Sequence, residues 1–464
     1  MRTISTVAQE FNANGLRLDA SFYASSGVQT MHLLEHWKRN GKQRKFDKLT
    51  DVCESKGIFI PGRFSRMYVS DSKHGLLWLS PSDMLNADLS DVPYVSKKYT
   101  PIQNVLRLQK GWLLLSRSGS IGNVAYVRDD MVGMIGSDDI IRISPNEQKI
   151  PRGYLYAFLS SFMGKALIQQ QTYGAVIQHI EAEHIVNLPI PRLDSVVEEQ
   201  IHALVEQAAT LRVQANALLK QSQERFYREV LGFDIARLKW KAGHVDAFAI
   251  GKAQFKTTKH RLDAFHYVGY TGEAEAYLSK TQPMGDLVEP YQPPMFKRPY
   301  TGENGIPFLS GIDLYDAYPK PHMYISRKME RLDLYIVDAG TILVQNVGQR
   351  YGLFGRPTIL PKHLGKSSVT QHMMRVYPKN AQDRGFVYIW LSTEIGRRLL
   401  LKESFGTSMG VLFERSFKQM PIPVCQIDLR HSFETDVQTI CEMRDKAIAF
   451  EDQAQMALSK ALQT

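Results

Sequence analysis

The chain has 464 residues, 44% apolar and 10% aromatic, with a net charge of +10 and a sequence pI near 9.2. That length and apolar content fill more than one core and place it among globular proteins of two or three domains, while the basic excess favours an anionic partner such as nucleic acid. Cys53, Cys425 and Cys441 form no CxxC, so neither a disulfide framework nor a zinc site is indicated; the absence of a signal-like start or a long apolar run leaves no membrane segment and suits a cytoplasmic setting.

In chain order, Arg17-Leu18-Asp19-Ala20 with Phe22 and Tyr23 precedes a helical stretch at about 28–39. Short apolar runs bounded by Gly, Pro, Ser and Asp then read as strands, at Leu76 to Leu79, Trp112 to Ser116, Val124 to Val127 and Ile140 to Ile143. An amphipathic helix spans Gly153 to Gln170, and Leu188-Pro189-Ile190-Pro191 forces an extended exit. From Val196 to Val230 the apolar residues Val197, Ile201, Leu204, Ala208, Leu211, Ala215, Leu218, Phe226 and Val230 step by three and four, the seam of one long helix. At 1.5 Å per residue it rises about 50 Å, more than one domain core needs.

The same order then returns. Arg261-Leu262-Asp263-Ala264 with Phe265, His266 and Tyr267 repeats the opening motif, and Gly305-Ile306-Pro307-Phe308-Leu309-Ser310 with Asp313 repeats Gly75-Leu76-Leu77-Trp78-Leu79-Ser80 with Asp83. Strands are expected at Pro307 to Leu309, Ile342 to Gln345, Leu353 to Phe354 and Met373 to Val376, a helix at Arg384 to Lys402, and the exit at Met420-Pro421-Ile422-Pro423. A second seam, Phe433, Val437, Ile440, Met443, Ala447, Ala454, Leu458 and Ala461, predicts a closing helix. The period of roughly 230 to 245 residues is far beyond that of a solenoid, so each copy is a domain.

The expected class is α+β: two similar α/β domains, each around a curled sheet, joined and separated by two long helices that pair as an antiparallel coiled coil. The boundaries are 1–194 for the first domain, 195–232 for the central helix, 233–428 for the second domain and 429–464 for the C-terminal helix.

Across essentially its whole length the chain resembles the specificity subunit of type I restriction-modification systems. The resemblance is carried by the two R-L-D-A motifs, the G-(I/L)-x-(F/W)-L-x-x-x-D strands, Ser116-Arg117-Ser118-Gly119-Ser120-Ile121-Gly122, Gln178-His179-Ile180 and the two Pro-Ile-Pro exits with their helices. The second copy departs: Gln345-Asn346-Val347-Gly348-Gln349-Arg350-Tyr351-Gly352 has one residue more between its glycines, and no Gln-His-Ile precedes Met420. The resemblance implies a non-catalytic subunit whose two target recognition domains bind double-stranded DNA at a bipartite, asymmetric site, with the helices as a ruler. It also implies two DNA methyltransferase subunits carrying S-adenosylmethionine, no cofactor in this chain, and in a full restriction system a motor-nuclease subunit.

Base-edge readout draws on Arg or Lys for guanine and Asn or Gln for adenine, with Ser and further basic groups on phosphates. The candidates are therefore Arg63, Arg66, Arg117, Ser118, Ser120, Asn123, Gln178 and His179 in the first copy. In the second they are Lys297, Arg298, Tyr300, Gln345, Asn346, Gln349, Arg350 and Ser408. Arg17, Asp19, Arg261 and Asp263, beside aromatics, read as structural.

Catalytic motifs are missing. Asp91-Val92-Pro93-Tyr94 lacks the first proline of a (D/N)-P-P-(Y/F) methylation loop, Gly119-Ser120-Ile121-Gly122 lacks the lysine of a phosphate loop and reads as a tight turn, and the histidines show no HExxH spacing. Asp138-Asp139 reads as a solvated pair between loop and strand rather than a metal site. Two other classes stay open: a stand-alone duplicated DNA-binding or regulatory protein, and a fused modification or restriction enzyme.

Overall fold

The computed structural model describes residues 26–41, 44–69, 72–119, 121–171, 179–238, 264–267, 273–350, 352–406 and 409–463. The motifs Arg17-Leu18-Asp19-Ala20 and Arg261-Leu262-Asp263, and the candidates Ser120, Gln178 and Ser408, lie outside these residues. The chain forms two compact units, Met1–Val213 with Lys446–Thr464, and Gln214–Asp445, so each long helix contributes to both.

In the first unit, Cys53–Phe59, Ile140–Pro145, Leu113–Ser116 and Val124–Tyr126 form, in that order, a four-stranded antiparallel sheet. A second sheet orders Tyr68–Val69, Tyr94–Ser96, Gly75–Leu79 and Ile135–Gly136, its last pair parallel. The expected single curled sheet is thus two sheets. The chain leaves one at Gly136 and enters the other at Ile140, and Ser137-Asp138-Asp139 is the crossing between them. The Pro-Ile-Pro exit pairs with Lys45–Lys48.

The second unit repeats this plan. Val288–Tyr291, Met373–Pro378, Ile342–Gln345 and Pro357–Ile359 form the antiparallel sheet; Tyr300–Thr301, Met323–Ile325, Ile306–Leu309, Ser367–Val369 and Ile336–Val337 form the other. Here Thr370-Gln371-His372 makes the crossing. Leu353–Phe354, expected as a strand, is a turn. The longer loop after Gln345 is taken up by a small pairing of Val347–Gly348 with Gly410–Val411, which delays the return strand to Pro357–Ile359.

Each expected amphipathic helix is broken in two, Arg152–Ser160 with Phe162–Gln170, and Arg384–Ser392 with Glu394–Lys402. At the break Ser161 and Thr393 are extended, and their hydroxyls accept from the amides of Gly164 and Gly396, each at 3.1 Å. A hydroxyl cap starts a new helix where a continuous one would have no orphan donors to satisfy.

The central helix runs Ser195–Arg225 and ends in a π turn, Phe226–Val230; the C-terminal helix runs Ile427–Gln463. Among the buried positions of the first, Ile201, Val205, Ala208, Arg212, Ala215, Leu219, Ser222 and Phe226 alternate steps of four and three, as do Phe433, Val437 and Ile440 and then Ala447, Glu451, Ala454 and Leu458 of the second. That heptad spacing makes a coiled-coil seam. The helices pair antiparallel within each unit. Arg212 donates to Glu451 at 2.6 Å in the first, and Ser222 donates to Asp436 at 2.7 Å in the second.

Each domain docks on this pair through a duplicated Arg-Gly. The amide of Gly153 donates to His202 Nδ1 at 3.1 Å and Arg152 Nε to Glu206 at 2.9 Å, while the amide of Gly385 donates to Glu434 Oε2 at 2.7 Å. A Cβ at Gly385 would lie 2.3 Å from the Phe433 carbonyl oxygen, so only glycine permits the approach. Around it Phe226 meets Phe386, Trp390 and Phe433 at ring separations of 5.2 to 5.6 Å.

Candidate nucleic-acid interface

The crossing between the two sheets organises the site in both units. A strand that buries both faces has no ordinary use for arginine, yet Arg142 and Arg375 sit at equivalent, fully buried places. Arg142 donates to the carbonyls of Gly136, Ser137 and Ile140, each at 2.6 Å. Arg375 donates to Val369, Thr370 and Met373 at 2.6, 3.0 and 2.5 Å. Burial lowers both guanidinium groups to about 10, so both remain charged at neutral pH. Each therefore fixes its crossing loop by charge-assisted hydrogen bonds.

In the first unit the fixed loop presents Asp138 and Asp139. Arg66 lies over the Trp78 ring, 4.9 Å from its centroid, and donates to Asp138 at 2.6 Å, with Asp139 at 3.8 Å. Arg117 pairs with Glu181 and lies 3.9 Å from Asp139. Ser118 bridges His179, and the amide of Ile180 donates to the Arg117 carbonyl at 3.2 Å, joining Arg117-Ser118 to His179-Ile180. Arg66, Arg117, Ser118 and His179 thus come together. Arg63 is exposed, and Asn123 is tied elsewhere, accepting from Lys165 at 2.8 Å. Gly119 and Gly122 take positive φ, +69° and +88°, a conformation glycine permits.

In the second unit the loop presents Gln371 and His372. Arg298 lies over Phe308 at 5.1 Å and donates to Gln371 at 3.3 Å. Partial burial, and then neighbouring Arg298, hold His372 below the ordinary imidazole range. Asn346 takes the backbone place of Arg117: its amide donates to the His372 carbonyl at 3.0 Å, and Leu412 donates back to its carbonyl at 2.8 Å. Asn346 corrects the expectation of a base reader. It is fully buried, and its amide group donates to the Leu412 carbonyl at 3.3 Å, so it offers no edge to DNA. Gln345 folds back, donating to Val347 at 3.1 Å, and Arg350 braces the 404–406 turn through Ser404 at 3.1 Å and Gly406 at 2.6 Å. Lys297, Tyr300 and Gln349 are exposed.

Asp138, expected in a solvated pair, is buried against Arg66 instead, and Glu181, Gln371 and His372, with the arginines beneath the loops, escape motif reading. Their signal is the alignment of Ser137-Asp138-Asp139-Ile140-Ile141-Arg142 with Thr370-Gln371-His372-Met373-Met374-Arg375, an arginine interrupting the same apolar strand twice. The scaffold is the same in both units and the loop chemistry differs, acidic in one and neutral in the other, with Asp138 and Gln371 buried and Asp139 and His372 half-buried. Among the described residues no group of His, Cys, Asp and Glu is placed to hold a metal, and no helix is long and apolar enough to cross a membrane.

Residues 42–201 match the family described as the type I restriction modification DNA specificity domain. No curated protein sequence matches the chain. Among solved structures, the S subunit of the type I restriction-modification system from M. genitalium shares 12% identity at a TM-score of 0.37, covering 91% of this chain and 96% of its own. The HsdS subunit from Thermoanaerobacter tengcongensis shares 13% at 0.28, covering 91% and 97%.

Proposed function

We propose, from the match of residues 42–201 to the type I restriction modification DNA specificity domain, that the whole chain is a non-catalytic specificity subunit reading a bipartite, asymmetric DNA site. The observation that carries this is the duplicated crossing loop, clamped alike by Arg142 and Arg375 but presenting Asp138-Asp139 in one unit and Gln371-His372 in the other. One scaffold with two chemistries suits two unlike half-sites. The helix pair serves as the ruler between them and as the platform for two methyltransferase subunits, which hold S-adenosylmethionine and carry out methyl transfer; a motor-nuclease subunit joins where cleavage occurs.

The test is methyl transfer from labelled S-adenosylmethionine to DNA. The chain alone transfers nothing, and the chain mixed with a cognate methyltransferase subunit restores sequence-specific transfer. Transfer by the purified chain alone defeats the proposal, as does stable sequence-specific binding that never recruits methyltransferase, the outcome expected of a stand-alone regulator.

A further inference from the structure

We infer that Arg66 and Arg298 are equivalent guanine readers, one for each half-site, and that Asp138 and Gln371 are the residues that position them. The inference rests on the DNA-specificity reading above and deepens it. Four features coincide in both units. Each arginine lies in an irregular, partly exposed stretch, 61–67 in one and 292–299 in the other, that mixes basic and large apolar side chains: Arg63 and Met67 in the first, Met295 and Lys297 in the second. Each guanidinium rests on the aromatic ring of the equivalent strand, Trp78 or Phe308. Each is hydrogen-bonded by the residue at the same place of the crossing loop, at 2.6 Å from Asp138 and 3.3 Å from Gln371. Each loop is clamped from below by its buried arginine.

An arginine held this way has lost its side-chain freedom before binding, so its fork is aimed at little further entropic cost. The first unit also argues against a phosphate role. Arg66 is neutralised by Asp138, with Asp139 close by, and carboxylates there repel a phosphate. At a base edge the same group suits guanine O6 and N7. The ion pair at Arg66 and the neutral contact at Arg298 give two differently held readers, as unlike half-sites require.

The test selects sequences from a duplex library with randomised windows, using the full chain assembled with its methyltransferase subunit. Wild type selects two unlike blocks. Arg66→Ala and Arg66→Lys each lose one guanine from one block, with discrimination falling about 10-fold or more, and the same changes at Arg298 do so in the other block only. Asp138→Asn keeps the guanine but weakens its selection. Lysine retains charge without the fork, so wild-type selectivity in Arg66→Lys, with only affinity and salt dependence altered in Arg66→Ala, marks a phosphate contact and overturns the inference. Relaxation of the same block by both arginines, or unchanged blocks, overturns it too. Where Arg66→Ala melts early, the Lys variant carries the test. A wild-type assembly that selects no sequence at all overturns the DNA-specificity reading itself.

Discussion

Arg212 Nη1 lies 2.6 Å from Glu451 Oε1, joining buried seam positions of the two long helices across 239 residues of sequence. Tyr156 adds a hydrogen bond to the same carboxylate at 3.3 Å. Two charges at seam positions fix which turn faces which, the best-attested use of buried polar groups in coiled coils.

Arg212→Ala leaves Glu451 buried without its cation and should cost about 3 to 5 kcal/mol, whereas replacing both by Met and Leu should be near neutral. Denaturant midpoints of the three proteins check this; equal losses in single and double variants would mean that the pair does not act as a unit.

Gly385→Ala should destabilise the second unit by about 1 to 3 kcal/mol, the usual cost of overpacking, because the added Cβ meets backbone, the Phe433 oxygen at 2.3 Å. An unchanged thermal midpoint would show that the helix can retreat.

Arg142→Leu removes the guanidinium donor from three carbonyls of the first crossing loop and should cost about 3 kcal/mol or more. Selection of one half-site should degrade while the other is untouched. Arg375→Leu should do the reverse.

His372 sets a pH dependence. Its folded pKa is lowered from 6.5 by burial first and Arg298 second, so on acidification the unfolded chain takes up this proton before the folded one. Its contribution is present above 6.5 and declines as pH falls below it. His372→Asn should flatten that part of the acid stability profile; a profile unchanged by the substitution would remove His372 as the cause.

Much of this was legible in sequence because it rests on periodicity. The long helices announce themselves by apolar residues three and four apart, and the duplication by matched strand motifs such as Trp78 with Phe308. Tertiary events left weaker marks. Ser161 and Thr393 look like ordinary helical residues until an extended backbone lets them cap. Asn346 has the donors of an adenine reader, but its backbone is caught between His372 and Leu412, which draws the side chain inside. Arg142 and Arg375 read as breaks in a strand, since nothing local says that a crossing loop folds back over them.

The ruler reading adds a geometric expectation. Seven residues inserted into both helices, after Val213 and after Asp445, preserve the heptad seam and add roughly 10 Å, about three base pairs at 3.4 Å each. The unread spacer should lengthen while both read blocks stay the same; altered blocks with an unaltered spacer would assign the helices to the domain cores alone.

The most direct measurement is the sequence of the methylated sites themselves, mapped on genomic DNA treated with this chain and its methyltransferase subunit. The account predicts two short, unlike blocks separated by a spacer of constant length and free sequence. A single contiguous block, or two blocks that are palindromic copies of each other, would contradict it.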